Sequence, residues 1–190
     1  MDSTEDPAPG NLTPEGARPA LGRPGGELEL APLAQGAFVG PSAFADLVRS
    51  AMLHAGSQGW AEMVWSDATF EDWPLYEKTV VEGLNAWSRK GRKLILLAHH
   101  FDAMHRIHHR FVDWRVRWDH LVECRVCKGL EESDFPSALW TPTWAMRRLD
   151  LQRSTGVASV EPRMRLLLRE ELEERRRQSS PGFPASTLGL

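Results

Sequence analysis

Six histidines, His99, His100, His105, His108, His109 and His120, fall within 22 residues of a chain that holds seven. Imidazole is the side chain whose protonation changes near neutral pH, so it serves as base, nucleophile or metal ligand. His99 and His100 directly follow the apolar run Leu94-Ile95-Leu96-Leu97, and Asp102 stands two residues further on. Asp67 follows a second apolar run, Glu62-Met63-Val64-Trp65. If the two runs are neighbouring parallel strands, Asp67, His99, His100 and Asp102 meet at one sheet edge. A histidine beside an aspartate could then act as a base and its orienting partner. These four are the candidate catalytic residues. A simpler role is open to three of them: Asp67 capping a turn, Asp102 capping a helix, His99 packing in the core.

The other histidines suggest less. His105, His108 and His109 sit at i, i+3 and i+4 of an expected helix, a spacing that can hold a metal. Arg106 occupies the place where zinc proteases carry Glu, and Arg110 follows, so the expectation is a solvated polar face. Cys124-Arg125-Val126-Cys127 has Cys-x-x-Cys spacing but no second ligand pair. It lies on an expected strand, where residues three apart point to opposite faces. Two unlinked structural cysteines follow, with Cys124 buried beside Val122 and Val126. No metal and no cofactor are expected.

The elements that must position these groups read as strand, helix, strand, helix, strand from Ala61 to Cys127, which implies an α/β fold with a mostly parallel sheet flanked by helices. Ligands in such sheets lie outside the carboxyl ends of the strands. Helices are expected at about Pro41 to Ala55, with Ser42 as cap and Gly56 at its end. Others are expected at about Trp73 to Lys90 behind an Asp72 cap, Asp102 to Trp118 behind an Asp102 cap, and Pro162 to Gln178. Ala138-Leu139-Trp140 is expected as a short strand, and Trp144 to Leu149 as a strand or helical turn. In the last helix, Glu171 with Arg175 and Glu173 with Arg177 are i, i+4 pairs.

Residues 1–40 are rich in Pro, Gly and acidic residues and are expected to be disordered. A single α/β domain is expected over 41–178, and a mobile tail, a potential docking peptide, over 179–190. Eight tryptophans against one tyrosine imply a Trp-rich core. No secretory leader or membrane-length apolar run is visible, and two cysteines make no disulfide framework, so a soluble cytoplasmic protein is expected.

The net charge of -3 argues against a nucleic-acid partner, and none is expected. Between Arg89 and Lys128, however, ten basic residues face four acidic ones. Arg106, Arg110, Arg115 and Arg117 are therefore candidate binding residues for phosphate-bearing ligands.

From Trp60 to about Leu149 the order of pieces resembles a half-domain of the phospholipase D-like fold. A strand ends in Ser66-Asp67-Ala68-Thr69-Phe70, a helix begins near Pro74-Leu75, and the basic turn Gly91-Arg92-Lys93 leads into Leu94-Ile95-Leu96-Leu97. Another strand, Leu121 to Arg125, follows the next helix. The chain is similar to uncharacterised proteobacterial proteins that share this outline without the catalytic motif. Active members of that family carry His-x-Lys-x-x-x-x-Asp. The nearest match here is His108-His109-Arg110, with Arg115 in the place of Asp. The resemblance therefore implies a degenerate member. The expected function is a non-catalytic α/β module that binds a protein partner, a small ligand or a second copy of itself. The alternative is a phospholipase D-like phosphodiesterase or hydrolase with a non-standard site at the strand ends.

Overall fold

The computed structural model describes Met1 and residues 30–129 and 131–185. Most of the segment expected to be disordered, Leu130, and the end of the tail with Leu188 and Leu190 lie outside the described residues. Ala31 onward forms one compact unit. Its strands are β1 (Gly36–Phe38), β2 (Glu62–Ser66), β3 (Lys93–Ala98), β4 (Val122–Val126), β5 (Ser137–Trp140), β6 (Ala145–Asp150), β7 (Thr155–Ser159) and β8 (Ser180–Pro181). Its helices are α1 (Pro41–Gln58), α2 (Lys78–Ser88), α3 (Asp102–Ile107), α4 (His109–Arg117) and α5 (Pro162–Arg177). None of the described helices is long and apolar enough to cross a membrane.

All eight strands join one sheet in the order β1-β7-β6-β5-β2-β3-β4-β8. The expected core is present. Strand β2 pairs parallel with β3, from Glu62 opposite Lys93 to Ser66 opposite Leu97, and β3 pairs parallel with β4. The expectation of a mostly parallel sheet is corrected, because the other five pairings are antiparallel. Chain that follows β4 does not add another crossover unit. It folds as the antiparallel run β5-β6-β7 and joins the free edge of β2.

Met63 to Trp65 of β2 and Leu94 to Ala98 of β3 are apolar because both of their faces are covered. Met63, Trp65, Leu94 and Leu96 point into the core beneath α1 to α4. Val64, Ile95 and Leu97 point the other way, against Leu168 and Leu172 of α5. Tryptophans fill the larger core as expected: Trp65, Trp73, Trp87 and Trp144 are fully buried, and Trp65 lies 5.7 Å from Trp73 between ring centroids. Helices α1 and α2 approach closely through glycines. A Cβ on Gly83 would come within 2.7 Å of the Met52 carbonyl oxygen.

Several local expectations need correction. Strand β1 lies inside the stretch expected to lack structure; Gly36 to Phe38 pair with Gly156 to Ala158. Helix α1 continues to Gln58 and ends on Gly59 at φ 62°, the left-handed position glycine favours, and Ser42 makes no capping bond. Helix α2 starts at Lys78, not Trp73, because Trp73 is drawn into the core and Asp72 pairs elsewhere. The tail does not hang free at its start. Ser180 and Pro181 pair with β4, and Phe183 is buried 5.1 Å from Phe101 between ring centroids. Charged side chains of α5 tie the helix to the sheet rather than making the expected pairs: Glu171 accepts from Arg147, while Arg176 donates to Glu123.

The long helix expected after Asp102 is broken at His108 (φ −104°, ψ 44°). Its ring is fully buried, and Nε2 donates to the Phe70 carbonyl at 2.9 Å. His105, His108 and His109 therefore share no solvated face. Burial, partly opposed by that hydrogen bond, holds the His108 imidazole below its ordinary value. Because the folded-state value is depressed, the folded protein binds fewer protons than the unfolded chain on the acid side of neutrality. Stability should fall as the pH drops from about 7 to about 5, below the range where a free imidazole takes up its proton. Urea denaturation should show this fall, and the variant His108→Gln, whose amide nitrogen reaches as far as the imidazole Nε2, should flatten it.

Candidate functional site

Strand β2 runs out at Ser66, and Asp67 extends its ladder by one bond, its N–H donating to the Leu97 carbonyl at 3.1 Å. The carboxylate then turns inward. Oδ1 accepts from the N–H groups of Thr69 and Phe70 at 3.2 and 2.9 Å, which forms the local turn. Oδ2 accepts from Ser137 Oγ and from Arg148 Nη2, each at 2.6 Å. Arg148 Nε donates to Ser137 Oγ at 2.7 Å, Nη1 donates to Asp72 at 3.1 Å, and the guanidinium lies 4.1 Å from the centre of the Phe44 ring. Both partners are sealed: their side chains are 2% (Arg148) and 6% (Asp67) exposed. Every acceptor position on Asp67 is thus committed to holding the fold, and it does not pair with a histidine.

His99 and His100 follow β3, and both backbone N–H groups donate to the same carbonyl, that of Ala68. Their rings stand edge to face, 5.9 Å between centroids. Both are half-buried. His100 Nδ1 lies 3.4 Å from Asp102 Oδ2. Asp102 is no cap; it is the first residue of α3, and the residue before it makes no side-chain capping bond. Facing the two rings is Glu132, in a single 3-10 turn Glu132–Asp134. Its Oε1 lies 3.1 Å from His100 Nε2 and 3.6 Å from His99 Nδ1. Glu132 carried no sequence signal, since it stands 32 residues from His100 in a polar loop.

Next to these groups a cavity of about 400 Å³ opens at the carboxyl end of β2. Thr69, Asp72, Glu132, Ser133, Gln152 and the inner edge of Arg148 line it. The four sequence candidates therefore divide. His99, His100 and Asp102 come together at the rim, while Asp67 lies beneath the cavity as part of its floor.

The candidate arginines do not form one face. Arg106 is exposed and pairs with Glu71 at 2.7 Å. Arg110 donates to the Tyr76 carbonyl at 2.9 Å. Arg115 is buried, its guanidinium 4.4 Å from the centre of the Phe183 ring. Only Arg110 and Arg117 share a surface, a hollow of about 290 Å³ that also holds Lys78 and Asp113. The two cysteines are free and buried as expected. Burial pushes the Cys124 thiol up to about 11, which makes it inert as a nucleophile.

The buried pair yields a sharp expectation. Arg148→Met strands the Asp67 carboxylate without its counter-charge and should cost about 3–5 kcal/mol in urea unfolding. Combining it with Asp67→Asn should recover part of that loss, because the uncompensated charge is gone. A single-variant cost within the scatter of surface substitutions would show that the pair does not hold the sheet together.

No protein-family model matches this chain, and no curated protein matches it. Among solved structures, the fold is similar to that of TrmBL2, an archaeal chromatin protein whose structure is described as showing a novel mode of DNA binding. The TM-score is 0.59 at 15% sequence identity, over 82% of this chain and 56% of that one. At that identity the likeness is one of fold, and this chain spans little more than half of the neighbour's length. It nevertheless corrects one expectation. Net charge was taken to set nucleic acid aside, yet a DNA-binding chromatin protein shares this α/β architecture.

Proposed function

We propose that this chain is a non-catalytic binding module that takes a small polar ligand at the carboxyl end of β2. The observation that carries this is the place of the cavity. Strand β2 is where the sheet changes from parallel pairing with β3 to antiparallel pairing with β5. Ligands in open α/β sheets lie in crevices outside the carboxyl ends of the parallel strands. The commitment of Asp67 to Arg148, Ser137 and two backbone N–H groups supports binding over hydrolysis by that residue, because its carboxylate has no lone pair left with which to act as a base. The degenerate phospholipase D-like outline, proposed for the β2 to β4 half alone, is supported by its element order and lacks the His-x-Lys motif. A cytoplasmic setting belongs to the same proposal, supported by two free, buried thiols.

Backbone amide NMR with a panel of small carboxylates, amines and phosphates tests the site. At least one compound should shift Thr69, Ser133 and Gln152 together and saturably. Ser133→Trp, on an exposed turn, should fill the cavity and abolish those shifts. Shifts confined to other surfaces would overturn the proposal, as would hydrolysis of bis(p-nitrophenyl) phosphate that disappears in the variant His99→Ala/His100→Ala.

A second partner class, duplex DNA, is favoured by the chromatin neighbour and by Arg110 and Arg117, which share one hollow with Asp113 and the Lys78–Glu82 pair. Fluorescence anisotropy with a labelled duplex should then give an affinity that falls steeply with added salt, with a smaller slope for Arg110→Ala/Arg117→Ala. Binding that ignores salt, or is absent at low salt, removes that partner.

A further inference from the structure

We infer that His99, His100 and Glu132 form a site for a borderline divalent transition cation of the zinc class. The site goes beyond the cavity proposal and does not depend on what the cavity holds. One donor atom from each of the three residues lies within 4.8 Å of the other two. Zinc bonds to nitrogen and oxygen of about 2.0–2.2 Å place tetrahedral donors roughly 3.3–3.6 Å apart. The two separations from Glu132 Oε1, 3.1 Å to His100 Nε2 and 3.6 Å to His99 Nδ1, bracket that range.

Three further observations point to a cation. His99 Nδ1 is shielded from water and has no hydrogen-bond partner among the described residues, although Glu132 Oε1 is 3.6 Å away. It is a donor atom aimed at the other two ligands with nothing to receive it. His100 Nδ1 likewise makes no hydrogen bond among the described residues, but a carboxylate stands near it: coordination through Nε2 leaves the proton on Nδ1, and Asp102 Oδ2, 3.4 Å away, is placed to close on it. Both backbones are also fixed in advance, since the N–H groups of His99 and His100 share the Ala68 carbonyl. Two neutral imidazoles and one carboxylate are a donor set for zinc-class ions rather than for magnesium or calcium, which take oxygen ligands. Three protein ligands leave a coordination position open, and Glu132 also lines the cavity. Water or an oxygen donor lodged there would complete the shell.

The full chain, stripped with chelator, tests this with cobalt(II) as an optical probe and zinc(II) and magnesium(II) by calorimetry. One equivalent of cobalt should bind with visible d–d absorption and no thiolate charge-transfer band, zinc should displace it, and magnesium should not bind. Glu132→Gln and His100→Ala, at positions that are not buried, should each weaken cobalt binding by about 100-fold or more. Asp102→Asn, a positioning change, should weaken it by about 10-fold. His105→Ala should leave metal binding intact, and small-ligand shifts at Gln152 in the metal-free chain stand or fall without the metal, so that failure of the ligand proposal is distinguishable from failure of this one. The inference is overturned if no saturable binding is seen, if magnesium binds as well as zinc, if Glu132→Gln and His100→Ala bind like the unaltered chain, or if a thiolate band places the metal on Cys127.

Discussion

One buried ion pair joins two halves of this sheet that the chain builds separately. Asp67 closes the first strand of the parallel half, and Arg148 rises from the middle of the antiparallel half, 81 residues later. Two charges withdrawn from water are costly, and their attraction offsets that cost only when every remaining donor and acceptor is satisfied. Here Ser137, Asp72 and two backbone N–H groups do so, and the Phe44 ring covers the guanidinium. The carboxylate also shapes the turn that carries Ala68, whose carbonyl holds both histidines. The position of the rim thus follows from the pair through the peptide bond from Asp67 to Ala68 and the two hydrogen bonds that the Ala68 carbonyl accepts.

How far the sequence reveals this differs from element to element. The parallel core is legible because Leu94 to Leu97 and Met63 to Trp65 must be buried on both faces, which leaves no polar residue in either run. The antiparallel half is legible only in part. Its strands are four to six residues long; Ala138 to Trp140 reads as a strand, but Arg147 and Arg148 in the middle of β6 leave that element open between strand and helical turn, and β7 carries no signal. Each of those arginines is paired with an acid from another element, which no local window can reveal. The break at His108 is invisible for a different reason: Met104, Phe111 and Trp114 stay on one apolar side whether or not the helix bends. Of the site, His99, His100 and Asp102 are legible as a strand-end group. Glu132 is not, because only tertiary folding brings its loop over the rim.

Aromatic packing explains why so much irregular backbone is tolerated around that rim. Phe70 adopts φ 60°, a conformation disfavoured for a side chain of its size. Its N–H is held by Asp67, its carbonyl accepts from His108, and its ring lies 5.1 Å from Trp73 and 6.3 Å from Phe101. The same aromatic cluster reaches Phe183 and through it Arg115, so an arginine that looks like surface charge in the sequence is a packed core residue.

The two outermost strands are only three and two residues long, and the second contains Pro181, which has no N–H to offer. Such stubs give a neighbouring chain almost no ladder to extend, which guards the sheet against edge-to-edge aggregation and domain swapping. A second copy of this protein would therefore have to associate through helices or loops, leaving each sheet closed on itself.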